Sequence, residues 1–121
     1  MLISTSQGKI SVSTDVIATI AGVAATSCFG VRGMVVKNVA DGIVRLLKRD
    51  HMTKGVSVTE CEDGSSVNIE LHISVKHGIN INAACNSIMS EVKYNVERLA
   101  GVKVSNIDIF IESIKSDSCK I

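Results

Sequence analysis

A chain of 121 residues, 45% apolar and 21% charged, has the composition of one globular domain with room for a single core. Phe29, Tyr94 and Phe110 are its only aromatics and proline is absent, so Val, Ile, Leu and Ala must fill the interior. That argues against the aromatic platforms on which single-stranded nucleic acids are commonly held. The net charge of +1 hides a segregation: residues 31–54 carry six lysines and arginines against two aspartates, and the remainder is net acidic.

The opening MLISTSQGKI lacks a basic region followed by a long apolar run, so no signal peptide is expected. No stretch reaches the ~20 apolar residues of a membrane span. The expectation is a cytoplasmic protein. Cys28, Cys61, Cys85 and Cys119 are far apart, without CxxC or CxxC…HxxxH spacing, and are expected as free thiols.

Gly8 to Val12 alternates Ile10 and Val12 with Lys9 and Ser11, a short strand. Ser13 or Thr14 then caps a helix, with Asp15 in its first turn. Val16, Ile17, Ile20, Val23 and Ala24 recur at helical spacing until Phe29-Gly30, and the many small residues predict a second backbone packed closely against it. After the Gly30-Val31-Arg32-Gly33 turn, Met34 to Val36 is briefly strand-like. Asn38 then starts a second helix, with Asp41 as its capping partner, Val39, Ile43, Leu46 and Leu47 inward, and Arg45, Lys48 and Arg49 near its end.

Asp63-Gly64 between two strand-like runs reads as a hairpin turn. A two-residue turn there sets Val58 opposite Ile69 and Val56 opposite Leu71. Val67, Ile73 and Val75 join them on one face, leaving Asn68, Glu70, His72, Ser74 and Lys76 on a wet face. Gly78 marks a further turn. Ile81, Ala84, Cys85, Ile88, Val92, Val96 and Leu99 trace a helix of about five turns, ended by Gly101. In the last strand Ile107, Ile109 and Ile111 alternate with Asp108, Phe110 and Glu112. Val102 and Val104 have the opposite parity, which predicts a bulge at Ser105-Asn106. The expected fold is a single α+β domain over residues 1–121, a small mixed or antiparallel sheet with about three helices on one face. Its order is strand, helix, short strand, helix, strand, strand, helix, strand, with a flexible tail over 115–121.

Chemistry is sparse in this pattern. The chain has no GxSxG elbow, Walker loop or GxGxxG. His51, His72 and His77 lack metal-ligand spacing and read as surface residues, and no two carboxylates are brought together by spacing alone. No catalytic residue, cofactor or metal is expected. The basic segment, with Arg32, Lys37, Arg45, Lys48 and Arg49, reads either as a contact surface for an acidic partner or phosphate, or as cations gathered on a solvated helix face. GVRG has the spacing of the KH loop that grips four nucleotides between two helices. Against that stand the four residues separating it from the next helix, a single cation in the loop and the near-neutral net charge. Nucleic acid is not the expected partner.

The segments AGVAATSCFGVRGMVVKN, DGIVRLL, GVSVTE, VNIELHISVKHG, EVKYNVERLAGVKV and NIDIFI resemble the alkaline-shock and glucose-starvation-like envelope stress response family of Gram-positive bacteria, over about residues 8–114. Gly30 to Met34 is similar to that family's G-[IV]-x-G-M turn, whereas Lys76-His77-Gly78 departs from the tyrosine found before the glycine in many members. The resemblance implies a small cytoplasmic protein without known catalysis. It also implies either attachment to the membrane through a separate anchoring protein or, for compact members, a neighbouring fatty-acid or dihydroxyacetone kinase-like protein. The function it suggests is a non-enzymatic interaction or scaffold protein of the envelope stress response, self-associating or docking to a membrane-associated partner. A KH-like RNA-binding module is the alternative, followed by an accessory subunit of a lipid or metabolite kinase.

Overall fold

The computed structural model describes residues 2–38, 43–46, 55–62 and 64–115. The expected turn residue Asp63, the cations Lys48 and Arg49, the capping residue Asp41 and the tail beyond Lys115 lie outside them. The elements in chain order are β1 (Leu2–Thr5), β2 (Gly8–Ser11), α1 (Thr14–Thr26), β3 (Val31–Asn38), β4 (Ile43–Leu46), β5 (Val56–Glu60), β6 (Ser66–Lys76), α2 (Ile81–Ala100) and β7 (Lys103–Lys115). The class is α+β, as the periodicities imply, but the described residues form two helices and not three.

The difference lies in the basic segment. Where a helix is expected from Asn38, the chain turns back on itself. β3 and β4 pair antiparallel, with Val35 opposite Leu46 and Asn38 opposite Ile43. Val35, Val36, Val39, Ile43 and Val44 are β-branched and stiff at χ1, which suits a pleated surface better than a helix, and Gly42 adds a further penalty to helix. Ile43 and Leu46, expected on a helix face, are strand residues, and Val39 and Leu47 lie outside the described residues. The N-terminus departs as well: β1, which is unexpected, folds back on β2 as a separate two-stranded sheet with Ile3 opposite Ile10.

Ser13 caps α1 as the sequence implies, and Asn80, which the sequence analysis does not single out, caps α2. Ser13 accepts a hydrogen bond from the Val16 amide, and Asn80 accepts one from Ala83. Gly101 ends α2 in the left-handed region at φ +73°. Ile17, Ala21 and Ala25 of α1 and Ile88, Val92 and Val96 of α2 are fully buried against Val67, Ile69, Leu71, Ile73 and Val75 of β6. Each buried Val, Leu or Ile side chain contributes roughly 1.5–3 kcal/mol relative to an exposed one. The Ala21-Gly22 and Ala24-Ala25 pairs are buried and α1 packs directly on α2, the close approach that small residues permit.

β6 organises the sheet. Along one edge it pairs first with β5, Val56 opposite Leu71 and Val58 opposite Ile69 as the Gly64 turn predicts, and then with β3, Met34 opposite Ile73. Along the other edge it runs parallel to β7 over its whole length. The sheet is therefore mixed, and β7 forms its margin with a single ladder neighbour among the described residues. The β6–β7 register slips twice. Once is at Ser105, at the expected bulge, and once at Glu112, where the sequence gives no parity signal.

Two expectations need correction. Gly33, expected in a turn, is a strand residue of β3, and the positive φ of that segment belongs to Gly30 at +90°. Ser74, expected on a wet face, is completely buried. The Glu112 bulge causes this by bringing Ser113 alongside, and the Ser113 hydroxyl donates to Ser74 Oγ at 2.8 Å.

Candidate functional site

The face of β6 and β7 turned away from the helices is built by period-two alternation. Asn68, Glu70 and His72 of β6 stand in register with Asn106, Asp108 and Phe110 of β7. The rings of His72 and Phe110 stack with centroids 5.0 Å apart and planes 12° from parallel. Glu70 Oε1 lies 3.0 Å from His72 Nε2, and Glu112 Oε1 lies 2.8 Å from Nδ1. Glu112 follows Asp108 and Phe110 on this face by alternation, and the bulge there sets Ser113 opposite Ser74.

A carboxylate only accepts, so the ring meets both contacts as a donor only with hydrogen on both nitrogens. With both nitrogens engaged by protein carboxylates, neither is directed at an external group. His72 is therefore not the isolated surface histidine that its spacing suggests. Glu70, two residues away on the same strand face, is the signal that sequence reasoning could have used. Glu112, forty residues distant, required the parallel pairing.

The margin of β7 is the second component. Between its bulges, Asn106–Ile111 is a regular stretch of six residues. Ile107, Ile109 and Ile111 point toward the helices and pack on the core, yet remain only partly buried because β7 has no outer neighbour among the described residues. Beside the start of this stretch lies an open groove of about 330 Å³, with Met89 and Lys93 of α2 on one wall and Val104, Asn106 and Ile107 of β7 on the other. Unpaired main-chain donors and acceptors beside an apolar groove are the two features used to hold an extended segment.

The GVRG segment is different in kind. Gly30 accepts a hydrogen bond from the Lys76 amide at 2.8 Å, and a Cβ built on Gly30 would lie 2.8 Å from Ile79 Cδ1. Gly30 thus joins the end of α1 to the β6–α2 turn, where Gly78 has φ +91°. Arg32 sits at the register shift between Val31 and Gly33 and is exposed. A nucleotide-gripping GxxG loop lies between two helices, whereas this one leads from α1 into a strand. Nearby, Phe29 is 86% exposed and borders an open cleft of about 680 Å³ with Lys76, His77 and Asn80.

Of the other expected contact residues, Lys48 and Arg49 lie outside the described residues, and Lys37 and Arg45 are in strands and not on a helix. Lys37 falls in β3 and Arg45 in β4, at register positions opposite Val44 and Val36. Cys28, Cys61 and Cys85 are thiols. Burial pushes the Cys28 thiol up, with the Glu91 carboxylate adding to it, and burial pushes Cys85 up as well. A thiol so shifted is a poor nucleophile. Among the described residues no group of three or more His, Cys, Asp and Glu is placed to hold a metal ion. Nor is any described helix long and apolar enough to cross a membrane.

The sequence model of the alkaline shock protein 23 family, described as having a cell envelope-related function, matches residues 3–116. The chain belongs to this family. It is 32% identical over 112 residues to the uncharacterised protein YloU of Bacillus subtilis, covering 92% of each chain. It is 34% identical over 114 residues to the uncharacterised protein Spy1614 of Streptococcus pyogenes, covering 93% of each. YqhY, another uncharacterised Bacillus subtilis protein, is 29% identical over 111 residues, covering 92% of this chain and 80% of its own. No solved structure matches the chain. The family match spans both helices and the sheet, including the β7 margin and the Gly30 junction.

Proposed function

We propose that this member of the alkaline shock family is a non-catalytic interaction protein of the cell envelope stress response. It works by accepting another chain along the β7 margin, either a second copy or a membrane-associated partner. The observation that carries the reading is the six-residue regular edge of β7, with one ladder neighbour among the described residues and a groove at its Asn106–Ile107 end. An edge of this kind gains affinity from main-chain hydrogen bonds, and alternate side chains add selectivity.

The test is photocrosslinking in native cells from a reactive residue placed at Ile109, combined with light scattering of the purified chain. Crosslinks from Ile109 to a second copy or to a protein of the membrane fraction are the expected result. A strictly monomeric chain that yields no crosslinked species in either fraction overturns the proposal.

A further inference from the structure

The outward side chains of β6 and β7 state what kind of strand the margin suits. Across the middle of this ladder the face carries three carboxylates, Glu70, Asp108 and Glu112, and the single histidine between them. The lysine positions of the ladder, Lys103 at one end and Lys76 opposite Lys115 at the other, lie at its two ends. Next to Asp108, a strand added outside β7 would place its own outward residues directly opposite or diagonal to an exposed carboxylate. Opposite charges there stabilise the pairing and like charges oppose it. On the helix side, the added strand would continue the row of Ile107, Ile109 and Ile111, with the groove beside Met89 at the Ile107 end.

A second copy of β7 meets the apolar requirement and fails the electrostatic one. Paired antiparallel about Asp108 it sets that carboxylate against its own image. Paired about Ile109 it sets Asp108 opposite Phe110, but joins two acidic faces into one and leaves the carboxylates diagonal to one another. The two bulges limit any such pairing to the six residues between them, a known device against extended edge-to-edge association.

We infer that the β7 margin is a β-augmentation site for an extended segment of another protein in which branched apolar residues alternate with lysine or arginine. The apolar set continues the row of Ile107, Ile109 and Ile111, and the cationic set lies along the exposed carboxylate of Asp108. This rests on the reading of the margin as a docking edge and names the partner class for it.

The test uses the full chain, isotopically labelled, with blocked synthetic peptides that match the six-residue ladder. One alternates valine with lysine and one alternates valine with glutamate. A third is the valine–lysine peptide carrying N-methyl groups on the amides that would face β7. The valine–lysine peptide is expected to shift the amide resonances of Asn106 to Ile111 and to bind at least about fivefold tighter than the valine–glutamate peptide. N-methylation is expected to weaken binding by about tenfold.

Asp108→Lys, an exposed position, should reverse the order of the two peptides while leaving the melting profile of the chain unchanged. Equal affinities, resonance shifts centred on another surface, or an unaltered preference in Asp108→Lys overturn the inference. If no peptide binds and the chain instead dimerises through the same amides, the inference fails while the docking-edge reading stands. If neither peptide nor second copy engages those amides, both fail.

Discussion

His72 and Phe110 lie directly opposite each other in the parallel β6–β7 ladder and stack at 5.0 Å, with Glu70 and Glu112 closing on the two nitrogens of the imidazole. The pair ties the marginal strand to the central one on the face that the helices do not cover. A stacked aromatic pair is worth about 0.5–1.5 kcal/mol beyond its buried area. In a double-mutant cycle of His72→Ala and Phe110→Ala, read by urea unfolding, the coupling energy is expected in that range. Strict additivity would show that the stack adds nothing to stability.

The Ser74–Ser113 bond predicts an asymmetry. Ser74 is fully buried, and Ser113 is only partly so. Ser113→Ala strands a buried hydroxyl and should cost about 1–3 kcal/mol. Ser74→Ala leaves Ser113 able to turn to water and should cost less, and the double variant should be milder than Ser113→Ala alone. Chemical denaturation of the three variants checks the order. A double variant as damaged as the sum of the singles would mean that the two hydroxyls act independently.

Gly30 and Gly33 should differ sharply although they share one motif. Gly30→Ala introduces a Cβ at φ +90° and 2.8 Å from Ile79, so strain and overpacking combine. We expect a loss of about 2–4 kcal/mol from those two effects. Gly33→Ala, within β3, should cost no more than about 1 kcal/mol. Thermal melts decide it, and equal losses would place the strained turn elsewhere in the segment.

The shifted thiols give a pH dependence of definite sign. Cys28 and Cys85 ionise above their ordinary value of 9.0 in the folded chain, so the unfolded chain gives up these protons first as pH rises. Their contribution is intact below pH 9.0 and is lost as pH climbs from there through the folded values. Stability should therefore fall above about pH 9, and fall less in the Cys28→Ala, Cys85→Ala double variant. At about pH 8 alkylation of both thiols should be slow in native protein and speed up in urea. Alkylation that is equally fast in both states would contradict the burial of these thiols.

Local chemistry wrote several parts of this fold into the chain in readable form. Ser13 and Gly101 mark helix ends because capping is settled within a few residues. Val58 meets Ile69 because a short hairpin fixes register from its turn outward. The isoleucines of β7 alternate because a strand buries every second side chain. The family resemblance is equally local, since it lies in ordered glycines and apolar spacing.

What only the tertiary structure decided lies where two readings had similar local energy or where partners are remote in sequence. Residues 38 and 43–46 fit a helical period and a β-hairpin alike, and pairing with β3, itself docked on β6, favours the hairpin. The His72–Glu112 contact depends on a parallel ladder bridged by α2, and the Ser74–Ser113 contact depends also on a bulge that becomes visible only against its partner strand. Side chains about forty residues apart carry no shared periodicity, so their meeting is a product of packing.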